Sequence, residues 1–135
     1  MSGTIRAEIG NMRKLNLLSL AYNKLQGEVP ADLGWLSELE ELNVARNELE
    51  GILPAEWGEL KNLKRLTLTG NKFRGSIPKA WEGMKKLEYF WGQDNALTGK
   101  VPDFLFRLPV LKRLCLENNF LQLTEEQKKL DRKGE

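Results

Sequence analysis

The 135-residue chain has no histidine and a single cysteine, Cys115. No serine, cysteine or threonine is paired in sequence with a base that could activate it, and neither a phosphate-binding loop nor a cluster of metal ligands is present. Catalysis is therefore not expected, nor is a cofactor or a metal. A lone cysteine cannot close an internal disulfide. No apolar run has transmembrane length, and Met1 to Gly10 is polar and charged, unlike a leader, so membrane insertion is not expected. No asparagine opens an Asn-x-Ser/Thr sequon. Neither sign of charge dominates. The 21 Lys and Arg residues face 19 Asp and Glu, a net charge of +2, and the two signs alternate along the chain. No basic face for nucleic acid follows from such a pattern. These absences predict a reducing, cytoplasmic location, with an extracellular one as the alternative if the chain belongs to a longer secreted or membrane protein.

What the chain does contain is a repeat. Asn23, Asn47, Asn71, Asn95 and Asn119 follow one another at intervals of 24 (47 − 23, and so on). Gly27, Gly51, Gly75 and Gly99 keep that interval, as do Pro30, Pro54, Pro78 and Pro102. Leu18 and Leu20 alternate with Ser19 and Ala21, which predicts a short strand with one apolar face. The asparagine follows where the chain must turn, and its amide can both donate to and accept from backbone groups. Stacked copies predict an Asn ladder. Pro30 removes a backbone donor and delays helix formation. Leu33, Leu36 and Leu39 then recur every third residue, as a 3₁₀ or short helical turn requires.

Later repeats vary this theme. Trp57 and Trp81 stand where Leu33 and Leu105 stand, which makes them core residues, whereas Trp35 falls at an outward position on the convex side. In the fourth repeat Gly92 replaces a core leucine. Either Phe90 or a neighbour fills the space, or the strand bulges. The pattern fades after Leu121, and Thr124-Glu-Glu-Gln127 reads as a capping box ahead of a charged helix from Glu125 to about Lys133, with Leu130 folding back on the last repeat. The expected organisation is a repeat array over 3–123 and a charged capping helix and tail over 124–135. At the start, residues 3–15 match the second half of a repeat. The first full strand, Asn16 to Leu20, is then expected to have an open edge, with Ile5, Ile9 and Met12 partly uncovered and self-association through that end a possibility.

The pattern Leu-x-x-Leu-x-Leu-x-x-Asn-x-Leu-x-Gly-x-Val/Ile/Leu-Pro resembles the plant-type leucine-rich repeat of receptor-kinase ectodomains and polygalacturonase-inhibiting proteins. The resemblance covers residues 3–121. It implies an α/β repeat solenoid, an arc with a concave parallel sheet, side strands from the Gly-x-Ile-Pro segments and convex 3₁₀ turns. It also implies binding of peptides, hormones or proteins on or beside the concave sheet.

On that arrangement the outward strand positions form columns. One is Leu17, Glu41, Arg65, Tyr89, Arg113; the next is Ser19, Asn43, Thr67, Trp91, Cys115. Beyond them lie Ala21, Ala45, Thr69, Gln93, Glu117 and then Tyr22, Arg46, Gly70, Asp94, Asn118. Neighbours within a column are about 4.8 Å apart and touch. A further column, Asn16, Glu40, Lys64, Glu88, Lys112, reads as a surface ion ladder. Tyr89 and Trp91 project from one strand between Arg65 and Arg113, and these residue types dominate interface hot spots. The competing reading is that Trp91 covers the gap at Gly92, or that the arginines merely stack on Tyr89. Cys115 is expected to face the concave surface as an inert small residue. Asp94 and Glu117 lie on adjacent strands in adjacent columns, and paired carboxylates could do acid–base work, but nothing else in the sequence supports it. The candidate partner-binding residues are Tyr89, Trp91, Arg65, Arg113, Thr67, Gln93, Asp94, Tyr22 and Arg46. The reading that results is a non-catalytic protein- or peptide-binding module. The alternative is a ligand-sensing fragment of a receptor ectodomain or an inhibitor of a secreted enzyme.

Overall fold

The alternation of apolar and polar residues around each asparagine becomes a strand in every repeat. The computed structural model describes residues 2–129. From the N-terminus these are β1 (Ser2–Gly3), the 3₁₀ turn η1 (Ala7–Asn11), β2 (Leu17–Ser19), β3 (Lys24–Glu28) and η2 (Ala31–Trp35). Next come β4 (Glu41–Asn43), β5 (Glu48–Ile52), η3 (Ala55–Glu59), β6 (Arg65–Thr67), β7 (Lys72–Gly75) and η4 (Lys79–Gly83). The chain continues through β8 (Tyr89–Trp91), β9 (Ala96–Lys100), η5 (Asp103–Phe106), β10 (Arg113–Cys115), β11 (Phe120–Gln122) and α1 (Glu125–Lys129). The helix expected beyond Lys129, and Leu130 with it, lie outside the described residues.

Two parallel sheets result. The first runs β10-β8-β6-β4-β2, and its register places Leu17, Glu41, Arg65, Tyr89 and Arg113 side by side. Ser19, Asn43, Thr67, Trp91 and Cys115 form the next row, so the columns read from the sequence are the rows of this sheet. The second sheet runs β1-β3-β5-β7-β9-β11. There Ser2 pairs with Lys24 and Glu50 with Lys72, a step of 22 (24 − 2, 72 − 50) rather than 24. Each side strand therefore slips by two residues against its neighbour. Two is the side-chain period of a strand, so the buried face stays buried despite the slip.

The asparagines tie the two sheets together. Asn71 Nδ2 donates to the carbonyls of Val44, 2.9 Å away, and Leu68, 3.1 Å away, while its Oδ1 accepts from the Leu49 amide at 3.1 Å. Asn47, Asn95 and Asn119 repeat this arrangement. Each amide thus bonds backbone in its own repeat and in the one before. The ladder runs through backbone groups, not from one asparagine side chain to the next. Such groups would otherwise be buried without partners, at about 1–3 kcal/mol each.

Trp57 and Trp81 are core residues, as expected. Their rings stack at 6.0 Å and 9°. Burying an indole leaves an N–H to satisfy, and each Nε1 donates to a proline carbonyl one repeat back, Trp57 to Pro30 at 3.1 Å and Trp81 to Pro54 at 2.8 Å. Trp35 is 54% exposed on the convex side beneath the Arg13 guanidinium. At Gly92 the strand does not bulge: β8 keeps its register with both neighbours. A methyl group at Gly92 would meet Leu116 at 3.1 Å and the Phe90 ring at 3.3 Å, so these two side chains fill the space.

The capping box forms. Thr124 Oγ1 accepts from the Gln127 amide and Gln127 Oε1 from the Thr124 amide, both at 3.0 Å. Gln127 is also buried, and its Nε2 donates to the Val101 carbonyl and to Asp103 Oδ1 at 2.7 Å each. One side chain both starts α1 and ties it to the segment that leads from β9 into η5. At the other end Ile5 is buried as part of the core cluster, contrary to the expectation that it is partly uncovered, and β1 extends the second sheet beside β3. Met12 is exposed and β2 is the edge of the first sheet, as expected.

Candidate functional site

The first sheet presents its outward rows to solvent, and three of the candidate residues meet there. Tyr89 and Trp91 are two apart on β8, so both project from the same face. Their rings stack at 5.2 Å and 4°. The Arg65 guanidinium lies 5.6 Å from the centre of the Tyr89 ring, and Arg65 Nη1 is 3.5 Å from Glu41 Oε1. Trp91 does not cover Gly92, since Phe90 and Leu116 occupy that space from within. The indole remains half-buried on the sheet surface. Arg113 and Thr67 flank the stack in register, beside Tyr89 and Trp91 respectively. Gln93 lies two residues beyond Trp91, where its Oε1 accepts from the Thr69 hydroxyl at 3.1 Å.

Arg46, Asp94 and Tyr22 are placed differently. Arg46 Nη2 is 3.8 Å from Asp94 Oδ2, and Asp94 Oδ1 accepts from Asn118 Nδ2 at 2.8 Å. Arg46 and Asp94 are thus engaged with each other along the rim of the sheet. Tyr22 stands on the N-terminal side of that rim, away from the stack, and is 78% exposed. Tyr22, Arg46, Asp94 and Asn118 all adopt φ of 59–61°, a left-handed turn that Asp and Asn favour and that is unusual for Tyr and Arg. Cys115 is buried rather than presented on the surface. In the ion ladder Glu40 pairs with Lys64 at 3.5 Å and Glu88 with Lys112 at 3.6 Å. Among the described residues no three His, Cys, Asp or Glu side chains cluster as metal ligands would.

Energetics separate these features. Exposed ion pairs such as those in the ladder contribute about 0–1 kcal/mol. Covering ~100 Å² of aromatic surface contributes about 2–3 kcal/mol. By this measure the half-buried Tyr89–Trp91 stack outweighs the ion ladder as surface that another molecule could cover.

Comparison with known proteins agrees with the fold. A leucine-rich-repeat family model matches residues 37–91. No curated protein sequence matches the chain. Among solved structures, the plant peptide hormone receptor RGFR1 in complex with RGF2 superimposes with a TM-score of 0.88 and 31% identity, over 90% of this chain and 19% of that one. The leucine-rich-repeat ectodomain of the receptor kinase SOBIR1 from Arabidopsis thaliana gives 0.83 and 28%, over 89% and 65%. A leucine-rich-repeat protein of Leptospira interrogans, LIC12759, gives 0.81 and 34%, over 93% and 32%. The chain spans less than two thirds of each of these structures.

The repeat, its two sheets and these matches make the chain a leucine-rich-repeat protein. Its 24-residue unit is similar to that of plant receptor-kinase ectodomains. The expectation of a cytoplasmic location is corrected here, because the matched receptor structures are ectodomains and point to the extracellular side. Missing sequons and paired cysteines were a poor guide to compartment. Neither takes part in packing one repeat on the next, so the repeat pattern itself carries no mark of the compartment.

Proposed function

We propose that the chain is a non-catalytic, ligand-sensing binding module that takes a peptide or protein segment on its first sheet, anchored on the Tyr89–Trp91 stack. The observation that carries this reading is the stack itself: two parallel aromatic rings held on a rigid strand, with Arg65 over one of them. Arg113 and Thr67 border the same patch, and Gln93 offers an amide beside it. Rings fixed in advance lose little side-chain entropy when a partner covers them. The likeness to RGFR1, described as a peptide hormone receptor, supports a peptide as the partner. Arg46 and Asp94 form the rim of the surface, and Tyr22 lies outside the patch.

The test starts from a displayed random-peptide library selected on the intact chain. Selected peptides are then titrated calorimetrically against the chain and its Tyr89→Ala/Trp91→Ala variant. The proposal expects at least a tenfold loss of affinity with the far-ultraviolet circular dichroism unchanged. Equal affinity for the two proteins refutes it.

A further inference from the structure

The convex side carries a break in the stacking of the 3₁₀ turns. A Cβ atom built on Gly10, Gly34 or Gly58 would come within 3.0 Å of the carbonyl oxygen of Asp32, Glu56 or Ala80 in the next turn. Glycine at this position lets η1 to η4 stack backbone against backbone. One period beyond Gly58 the residue is Glu82. Its Cβ has no room for the same approach, and η5 stands off from η4. η5 is also shorter, with four residues where the others have five.

The gap is an open cleft of about 580 Å³. Leu108 lies buried within it, and Phe104 is half-buried in its wall. Around these apolar groups stand Lys79, Lys85 and Arg107, all exposed. Among the described residues none of the three has a carboxylate oxygen within 4.0 Å. Two acids also line the cleft, Glu82 and Asp103, the latter accepting a hydrogen bond from the neutral amide of the buried Gln127, so its wall carries three cations against two carboxylates, a net charge of +1 (3 − 2).

We propose that this cleft is a second binding site, distinct from the aromatic stack, for an acidic peptide segment carrying one aromatic side chain. The apolar groups take the ring, and the three cations meet the flanking carboxylates. A small inorganic anion would leave Phe104 uncovered. A nucleic acid needs a longer run of cations than the cleft supplies.

The test is fluorescence anisotropy at low salt with a labelled Glu-Glu-Phe-Glu-Glu peptide, alongside Glu-Glu-Gly-Glu-Glu and Lys-Lys-Phe-Lys-Lys. The aromatic acidic peptide is expected to bind at least tenfold more tightly than either control. The Lys79→Ala/Lys85→Ala/Arg107→Ala variant is expected to bind at least tenfold more weakly than the parent. Glu82→Gly keeps every cation and removes a negative charge, so electrostatics alone would tighten binding. Closure of the cleft by that substitution is instead expected to weaken it by a similar factor. Tyr89→Ala/Trp91→Ala is expected to bind as the parent does, which separates this site from the concave one. Failure of the parent to bind, unchanged affinity in the triple variant, tighter binding by Glu82→Gly, or loss of binding in the Tyr89/Trp91 variant each overturns the proposal.

Discussion

Arg46 reaches Asp94 across Gly70. The two charged residues come from repeats that are not neighbours, and their side chains meet at 3.8 Å because the residue between them has no side chain. A Cβ at Gly70 would lie 2.8 Å from Arg46 Cδ, and the residue holds φ at +73°. Gly70→Ala is therefore expected to destabilise the fold by about 1–2 kcal/mol from the backbone alone and to dislodge Arg46. Arg46→Gly gives up an exposed ion pair worth under about 1 kcal/mol and relieves a left-handed arginine at φ 59°. Its stability is expected to stay within about 1 kcal/mol of the parent, since the two changes oppose each other. Urea denaturation of the two variants checks both values.

The asparagine ladder predicts a larger effect in the middle of the array. Asn71→Ala leaves the Leu49 amide and the Val44 and Leu68 carbonyls short of a partner in a buried setting. A loss of about 2–4 kcal/mol is expected. The transition midpoint in urea reads it directly. A loss below about 1 kcal/mol would show that water replaces the amide without penalty.

The glycine at the 3₁₀ turns makes a reciprocal prediction. Gly58→Glu copies the fourth repeat into the third and forces η3 and η4 apart, at about 2–3 kcal/mol. Glu82→Gly is expected to raise the melting temperature by letting η5 close on η4. Thermal unfolding of the two variants should therefore shift in opposite directions.

Gln127 holds the C-terminal helix through four hydrogen bonds, two within the capping box, one to the Val101 carbonyl just beyond β9 and one to Asp103 at the start of η5. Gln127→Ala is expected to cost about 1–3 kcal/mol. Amide exchange should quicken along α1 and at Val101 before the central strands are affected.

Much of this architecture is legible in the sequence because one interval governs it. A period of 24 fixes the rows of the first sheet, so the neighbours of Tyr89 follow by counting. The core positions of Trp57 and Trp81 and the capping box at Thr124 follow from local patterns. Where the structure departs, a second interval or a neighbour's shape is responsible. The side strands pair at a step of 22, which a 24-residue alignment hides. Arg46 and Asp94 share a column, yet their pairing depends on the absence of a side chain at Gly70 between them. The filling of Gly92 depends on the rotamer of Phe90 and the reach of Leu116, neither of which has a sequence signature. The stand-off at η5 is encoded in one residue, Glu82. It becomes readable only once the turns are known to touch through the glycine at that position.

Trp91 offers the most direct measurement of the binding role. Trp57 and Trp81 are sealed in the core, so Trp35→Phe leaves Trp91 as the only tryptophan with solvent access among the four. Acrylamide quenching of that variant, free and saturated with a selected peptide, reports whether the partner lies over the ring. The account predicts that quenching of the accessible fraction falls at least threefold on binding. Unchanged quenching at saturation would mean the partner sits elsewhere and contradicts the account.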